Sequence, residues 1–168
     1  FHMLPRALSE NLCSLRPNEP RLCLVARMVF DAQGKRQEVE VIEAVMQSRR
    51  RATYNEIQAE WEKNKADARW EFRPHFDLFE ILRRSRSQRG SIDFDLPESE
   101  LIVSPDGEVK SLKQRARLEA HRLIEEFMIA ANEAVTDWMN QRRLPFVYRV
   151  HEEPTYEALM KFQKLANT

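Results

Sequence analysis

The stretch Leu118-Glu119-Ala120-His121-Arg122-Leu123-Ile124-Glu125-Glu126-Phe127-Met128-Ile129-Ala130-Ala131-Asn132 decides the reading of this chain. Followed outward to Ala116 and Arg142, it sets Ala120, Leu123, Ile124, Phe127, Ala131, Val135 and Trp138 on one wide apolar stripe, which predicts a long amphipathic helix. Pro145 ends it. Glu119, Arg122, Glu126, Glu133 and Asp137 are expected to form the solvated face, with Arg122 and Glu126 paired one turn apart. His121, Glu125, Met128 and Asn132 run beside the apolar stripe instead of opposite it, so Glu125 is expected to face something partly buried. An unpaired carboxylate costs on the order of several kcal/mol to bury, so a cation, a hydroxyl or a ligand should meet it. The plainer alternative is a carboxylate that only bridges neighbouring loops.

Before this helix the glycines Gly34, Gly90 and Gly107 mark element ends. Leu22 to Ala26 leads through Asp31-Ala32-Gln33-Gly34 into the alternating Glu38-Val39-Glu40-Val41, which predicts an antiparallel hairpin. Thr53-Tyr54-Asn55-Glu56 has capping-box spacing, so a helix should start there with Tyr54, Ile57, Gln58 and Trp61 on one face. A second helix is expected from about Phe76 to Arg89, closed by Gly90. Ile92, Phe94 and Leu96 then alternate, and Ser104-Pro105-Asp106-Gly107 supplies a turn before Val109, predicting a second strand pair. A short strand from Phe146 to Val150 and a helix from Thr155 to about Leu165 complete the chain. The fold class is α+β, with antiparallel strands packed with long helices.

Bulk properties narrow the function classes. The 168 residues suit a single domain able to bury a core of its own. Lys+Arg and Asp+Glu both total 27, so no whole-molecule field draws the chain to nucleic acid or an anionic membrane, and any RNA site must be local. Cys13 and Cys23 read as small buried thiols of a reduced protein. Apolar runs such as Leu22 to Ala26 and Phe127 to Ala131 fall short of a membrane span, and a soluble, cytoplasmic, monomeric protein is expected. A start at Phe1, with methionine at position 3, leads us to expect a natural start upstream.

Other constellations carry little chemistry. Asp93 and Asp95, with Glu98 and Glu100 nearby, read as the solvated side of a strand better than as a metal site. His2, His75, His121 and His151 lack zinc spacing with the cysteines. The runs Arg49-Arg50-Arg51 and Arg83-Arg84-Ser85-Arg86 could touch phosphates, although surface solvation is the better reading of such runs on their own. No phosphate-cradling loop or G-x-S-x-G is present, and no small-molecule cofactor is expected.

In order along the chain stand Met3-Leu4-Pro5, Leu8-Ser9-Glu10-Asn11-Leu12-Cys13-Ser14-Leu15-Arg16-Pro17, Arg51-Ala52-Thr53-Tyr54, Arg89-Gly90-Ser91-Ile92-Asp93-Phe94, the block from Ala120 to Asn132, and Tyr148-Arg149-Val150-His151-Glu152-Glu153-Pro154. Together they resemble the RNB catalytic domain of the ribonuclease II/ribonuclease R family over essentially the whole chain. The resemblance implies part of a processive, Mg²⁺-dependent hydrolase that threads single-stranded RNA 3′ end first and releases nucleoside 5′-monophosphates. It also implies that metal is held by a D-x-D-D cluster which this sequence does not contain, so the chain is expected to be a partial RNB domain over 1–168, without the flanking oligonucleotide-binding modules, and inactive alone. Carried over, Tyr54 and Glu125 match the family's catalytic tyrosine and glutamate at the scissile end, and Phe94 matches an RNA-binding aromatic that stacks on bases. No residue here is assigned to metal. Asp93 and Asp95 receive no family role. Two rivals remain from other classes: a degenerate, non-catalytic module that binds RNA or a protein, and a plain structural α+β domain.

Overall fold

The structure is a computed structural model that describes residues 2–93, 98–104, 106–150 and 152–166. After a π-helical turn at Leu8–Leu12 come strands β1 (Pro20–Phe30) and β2 (Arg36–Gln47), helices α1 (Tyr54–Asn64) and α2 (Arg73–Gln88), strands β3 (Glu98–Val103) and β4 (Val109–Arg115), and helices α3 (Glu119–Gln141) and α4 (Tyr156–Ala166). The α+β reading with antiparallel strands is therefore correct; among the described residues the strands form two two-stranded sheets, β1-β2 and β3-β4. The chain falls into two compact units, Phe1–Trp138 and Met139–Thr168.

The turn of the first hairpin is built by its own residues. Asp31 Oδ1 accepts from the backbone N–H of Gln33 and Lys35 at 3.0 and 2.9 Å, and Gly34 sits at φ +80°. A Cβ on Gly34 would come within 2.9 Å of Ser85 Cβ and 3.0 Å of the Ile81 carbonyl, so the turn rests directly on α2. Register pairs Leu22 with Val45 and Val25 with Ile42. Leu22, Leu24 and Val45 are exposed, so the hairpin lies outside the core that the chain does bury. Cys13 is likewise exposed and Cys23 half-buried, so neither is a fully buried thiol.

The core lies between α1, α2 and α3. Phe76, Phe79 and Leu123 form its centre, with Ile57, Trp61, Trp70, Phe72 and Phe127 packed around them. Trp61 stacks on Phe76 with centroids 4.2 Å apart, and Phe79 meets Phe76 edge-on, the geometry aromatic quadrupoles favour. Helix α2 ends in a Schellman closure: Gly90, at φ +88°, donates to Ser87 O at 3.0 Å and Ser91 donates to Arg86 O at 3.3 Å.

Helix α3 is turned relative to the sequence reading. Ala130 and Ala134 are buried in place of Ala131 and Val135, and Ile124 is exposed. The cause is Glu126, assigned to solvent from sequence but only 4% exposed. Arg86 Nε donates to both Glu126 oxygens at 2.9 and 3.1 Å, and Arg86 Nη2 donates to Oε1 at 2.5 Å. Arg122 consequently pairs with Glu119 and Asp93, not with Glu126.

Two predicted strands depart from the structure. Ile92 and Asp93 lie outside β3, which begins at Glu98, because Asp93 is held by arginines and not by a ladder; Phe94, Asp95 and Leu96 lie outside the described residues. Residues 146–150 form no strand, since no partner strand among the described residues satisfies their backbone groups. Phe146 and Tyr148 instead pack ring on ring at 4.1 Å, and Tyr148 hydrogen-bonds Asn140, within the second unit.

Replacing Arg86 with Met should cost about 3–5 kcal/mol, because it strands a buried carboxylate, whereas Arg86→Met combined with Glu126→Leu should regain most of that. Urea unfolding followed by the fluorescence of the core tryptophans measures both; equal losses for the single and double variants would show that Glu126 is not the stranded group.

Candidate active site

Tyr54 occupies the first position of α1, fixed by a complete capping box: Glu56 N–H donates to Thr53 Oγ1 at 3.3 Å, and Thr53 N–H donates to Glu56 Oε2 at 2.6 Å. Its side chain is partly exposed, and its ring lies 4.2 Å from that of His121, in the first turn of α3. His121 is oriented in turn, with Nδ1 accepting from the Leu118 N–H at 3.1 Å. One turn below Tyr54, Gln58 Oε1 accepts from the Ala120 N–H at 3.2 Å, tying the two helix starts together. The face of α1 read from sequence is thus the face that meets α2 and α3. A cavity of about 280 Å³ is lined mainly by Ile57, Phe72, Phe76, Leu123 and Phe127, with Arg50, Thr53, Tyr54 and His75 as its polar members.

Glu125 follows His121 by one helical turn and is half-buried, as the line beside the apolar stripe implied, although Met128 and Asn132 on that line are exposed. The cation expected to meet it is present. Arg117, just before α3, donates from Nη2 to Glu125 Oε2 at 2.8 Å and from Nη1 to Asp93 Oδ1 at 2.6 Å. Asp93 Oδ2 also accepts from Arg122 Nη2 at 2.5 Å, Arg122 Nη1 reaches Glu119 at 3.0 Å, and Arg83 completes the series on Glu119 at 3.4 Å. The Arg117 guanidinium, aided by Arg122 and opposed by burial, holds the Asp93 carboxyl below its usual range. The two carboxylates, reinforced against burial, push the Arg117 pKa upward.

Asp93 was read as a solvated strand residue; here it anchors two arginines. Arg117 and Arg122 were the residues sequence reasoning missed. Arg122 and Glu119 stand at helical spacing and were discoverable, whereas Arg117 precedes the helix and its partners are not periodic with it. Phe94 lies outside the described residues. Of the arginine runs, Arg50 is engaged by Glu60 and Glu71, and Arg86 by Glu126.

The model of the RNB domain matches residues 1–168. The chain belongs to the RNB domain family. It is 44% identical over 163 residues to ribonuclease R of Aquifex aeolicus, covering 94% of this chain and 23% of that protein. To ribonuclease R of Escherichia coli it is 33% identical over 172 residues, covering 97% and 21%. It superimposes with a TM-score of 0.88 on Mycoplasma genitalium RNase R in complex with ribose methylated single-stranded RNA, at 27% identity, over 98% of this chain and 26% of that one. The chain thus spans about a quarter of the relatives it matches. Among the described residues, no group of three or more His, Cys, Asp or Glu side chains that could hold a metal ion is found. No helix among the described residues is long and apolar enough to cross a membrane.

The Asp93 pKa lies below that of the unfolded chain, so its contribution to stability is present above about pH 4, the unfolded value, and is lost as pH falls through the folded value. Asp93→Asn should therefore destabilise the protein at pH 7 and progressively less below pH of about 4. Thermal melts of both proteins across pH 7 to 3 check this, and stability curves that stay parallel down to acid pH would contradict it.

Proposed function

We propose that this chain is the substrate-positioning part of the catalytic domain of a processive, Mg²⁺-dependent 3′→5′ exoribonuclease acting on single-stranded RNA, a monomeric cytoplasmic enzyme, and that residues 1–168 form one partial RNB domain. Membership of the RNB family supports the reaction class, and the single-stranded RNA bound by the M. genitalium relative supports the substrate class. One observation carries the site: two helix starts bring the capped Tyr54 onto His121, one turn before a half-buried Glu125. On this reading the Tyr54 hydroxyl orients the reacting phosphate, Glu125 acts at the scissile end, and Phe94 stacks on bases farther along the strand. Mg²⁺, held by residues outside this chain, supplies activated water and charge neutralisation when bound. The 168-residue chain alone turns over no RNA, because the residues that hold the metal are outside it, and binds RNA feebly, because its charges balance and Arg50, Arg86 and Arg117 are engaged by carboxylates.

A second reading has its own observation. Glu125 already possesses a counter-ion in Arg117, as a purely structural carboxylate would. Single-turnover cleavage, measured beside RNA affinity in the full-length protein, separates the two. Glu125→Ala should lower the rate far more than the affinity. Tyr54→Phe should act in the same sense, by roughly tenfold, as expected for one neutral hydrogen bond. Phe94→Ala should leave the chemistry near normal but weaken the hold on short RNA and change the length of the final product. Cleavage at the parental rate by Glu125→Ala would favour the structural reading.

A further inference from the structure

Resting on the role proposed for Glu125, we propose that Arg117 is a positioning residue for that reaction, setting the Glu125 carboxylate while Asp93 fixes Arg117 from the other side. Three features carry the inference. First, Arg117 spends its two terminal nitrogens on two different carboxylates, Asp93 at 2.6 Å and Glu125 at 2.8 Å, a fork that a lysine ammonium does not reproduce. Second, Asp93 is itself immobilised by Arg122, and Arg122 by Glu119, which Arg83 on α2 also reaches. Signs alternate along Glu125, Arg117, Asp93, Arg122, Glu119 and Arg83, so each charge is flanked by opposite ones and the end of the series at Glu125 is referenced to the α2–α3 framework. Third, Arg117 engages one oxygen of Glu125, Oε2. On this proposal the other oxygen, Oε1, serves the reacting end.

Flanked by two carboxylates, Arg117 is directed to them and not to RNA phosphates. Its removal should therefore appear in the rate and not in the affinity. Precise placement of a reacting group, held by a second layer of hydrogen bonds, is what a chemical step requires.

The test is a double-mutant cycle in the full-length protein, read by single-turnover cleavage and by RNA affinity. Arg117→Met should lower the cleavage rate by about tenfold or more with affinity unchanged, and Arg117→Lys by less. In a Glu125→Gln background, Arg117→Met should have almost no further effect, because the carboxylate it places is gone. Should Arg117→Met not fold, Asp93→Asn replaces it, with a smaller rate loss that again vanishes beside Glu125→Gln. Effects that multiply independently, a parental rate for Arg117→Met, or a loss of affinity in place of rate would overturn the inference while leaving Glu125 catalytic. If Glu125→Gln itself cleaves at the parental rate, both the site reading and this inference fall.

Discussion

The ion pair between Arg86 and Glu126 sets the rotation of α3, and the site follows from that rotation. A carboxylate only 4% exposed must face its guanidinium, so Glu126 points toward α2 whatever the apolar residues beside it prefer. Successive helical residues are rotated by about 100°, which leaves Glu125 at the border of the interface and turns Ile124 outward. Had α3 packed on the stripe its sequence displays, Ile124 would be inside and Glu126 in solvent. The pair thus exchanges apolar burial for a fixed azimuth, and the azimuth is what brings His121 under Tyr54 and Glu125 beside Arg117.

The same arginine acts twice. Its guanidinium also donates from Nη1 to Ser91 Oγ at 2.8 Å, directly after the Gly90 closure of α2. Chain leaving α2 is thereby turned back along α3, where Asp93 meets Arg117 and Arg122. Without a left-handed residue at position 90 the turn would have to be made elsewhere, and the register of Asp93 against α3 would change with it.

Local signals in the sequence were sufficient wherever the deciding partners were close in the chain. The capping box at Thr53 and Glu56, the cap at Gly90, the hairpin around Gly34 and the face of α1 bearing Tyr54, Ile57, Gln58 and Trp61 all depend on neighbours within a few residues or on one helical period. Where the deciding partner was distant, sequence failed. Glu126 could not be placed without knowing that Arg86, forty residues earlier, lies opposite it. Asp93 looked like the polar side of a strand because Ile92, Phe94 and Leu96 alternate with polar residues in the sequence, while its partners Arg117 and Arg122 lie more than twenty residues on. Residues 146–150 had strand composition, but pairing and not composition makes a strand.

Neutrality of the chain gains a structural meaning from these pairs. Arg50, Arg86, Arg117 and Arg122 are each engaged by carboxylates, so charges that look in the sequence like candidates for phosphate contact are committed internally. A surface meant to capture a polyanion keeps its cations directed outward, where counterion release supplies affinity. A surface meant to hold a reacting group locks its cations inward, where they trade affinity for geometry. On the proposed reading the first unit is of the second kind: Arg50, Arg86, Arg117 and Arg122 fix helices and carboxylates, attraction for RNA is the work of residues outside this chain, and these residues decide where Tyr54 and Glu125 stand when the strand arrives.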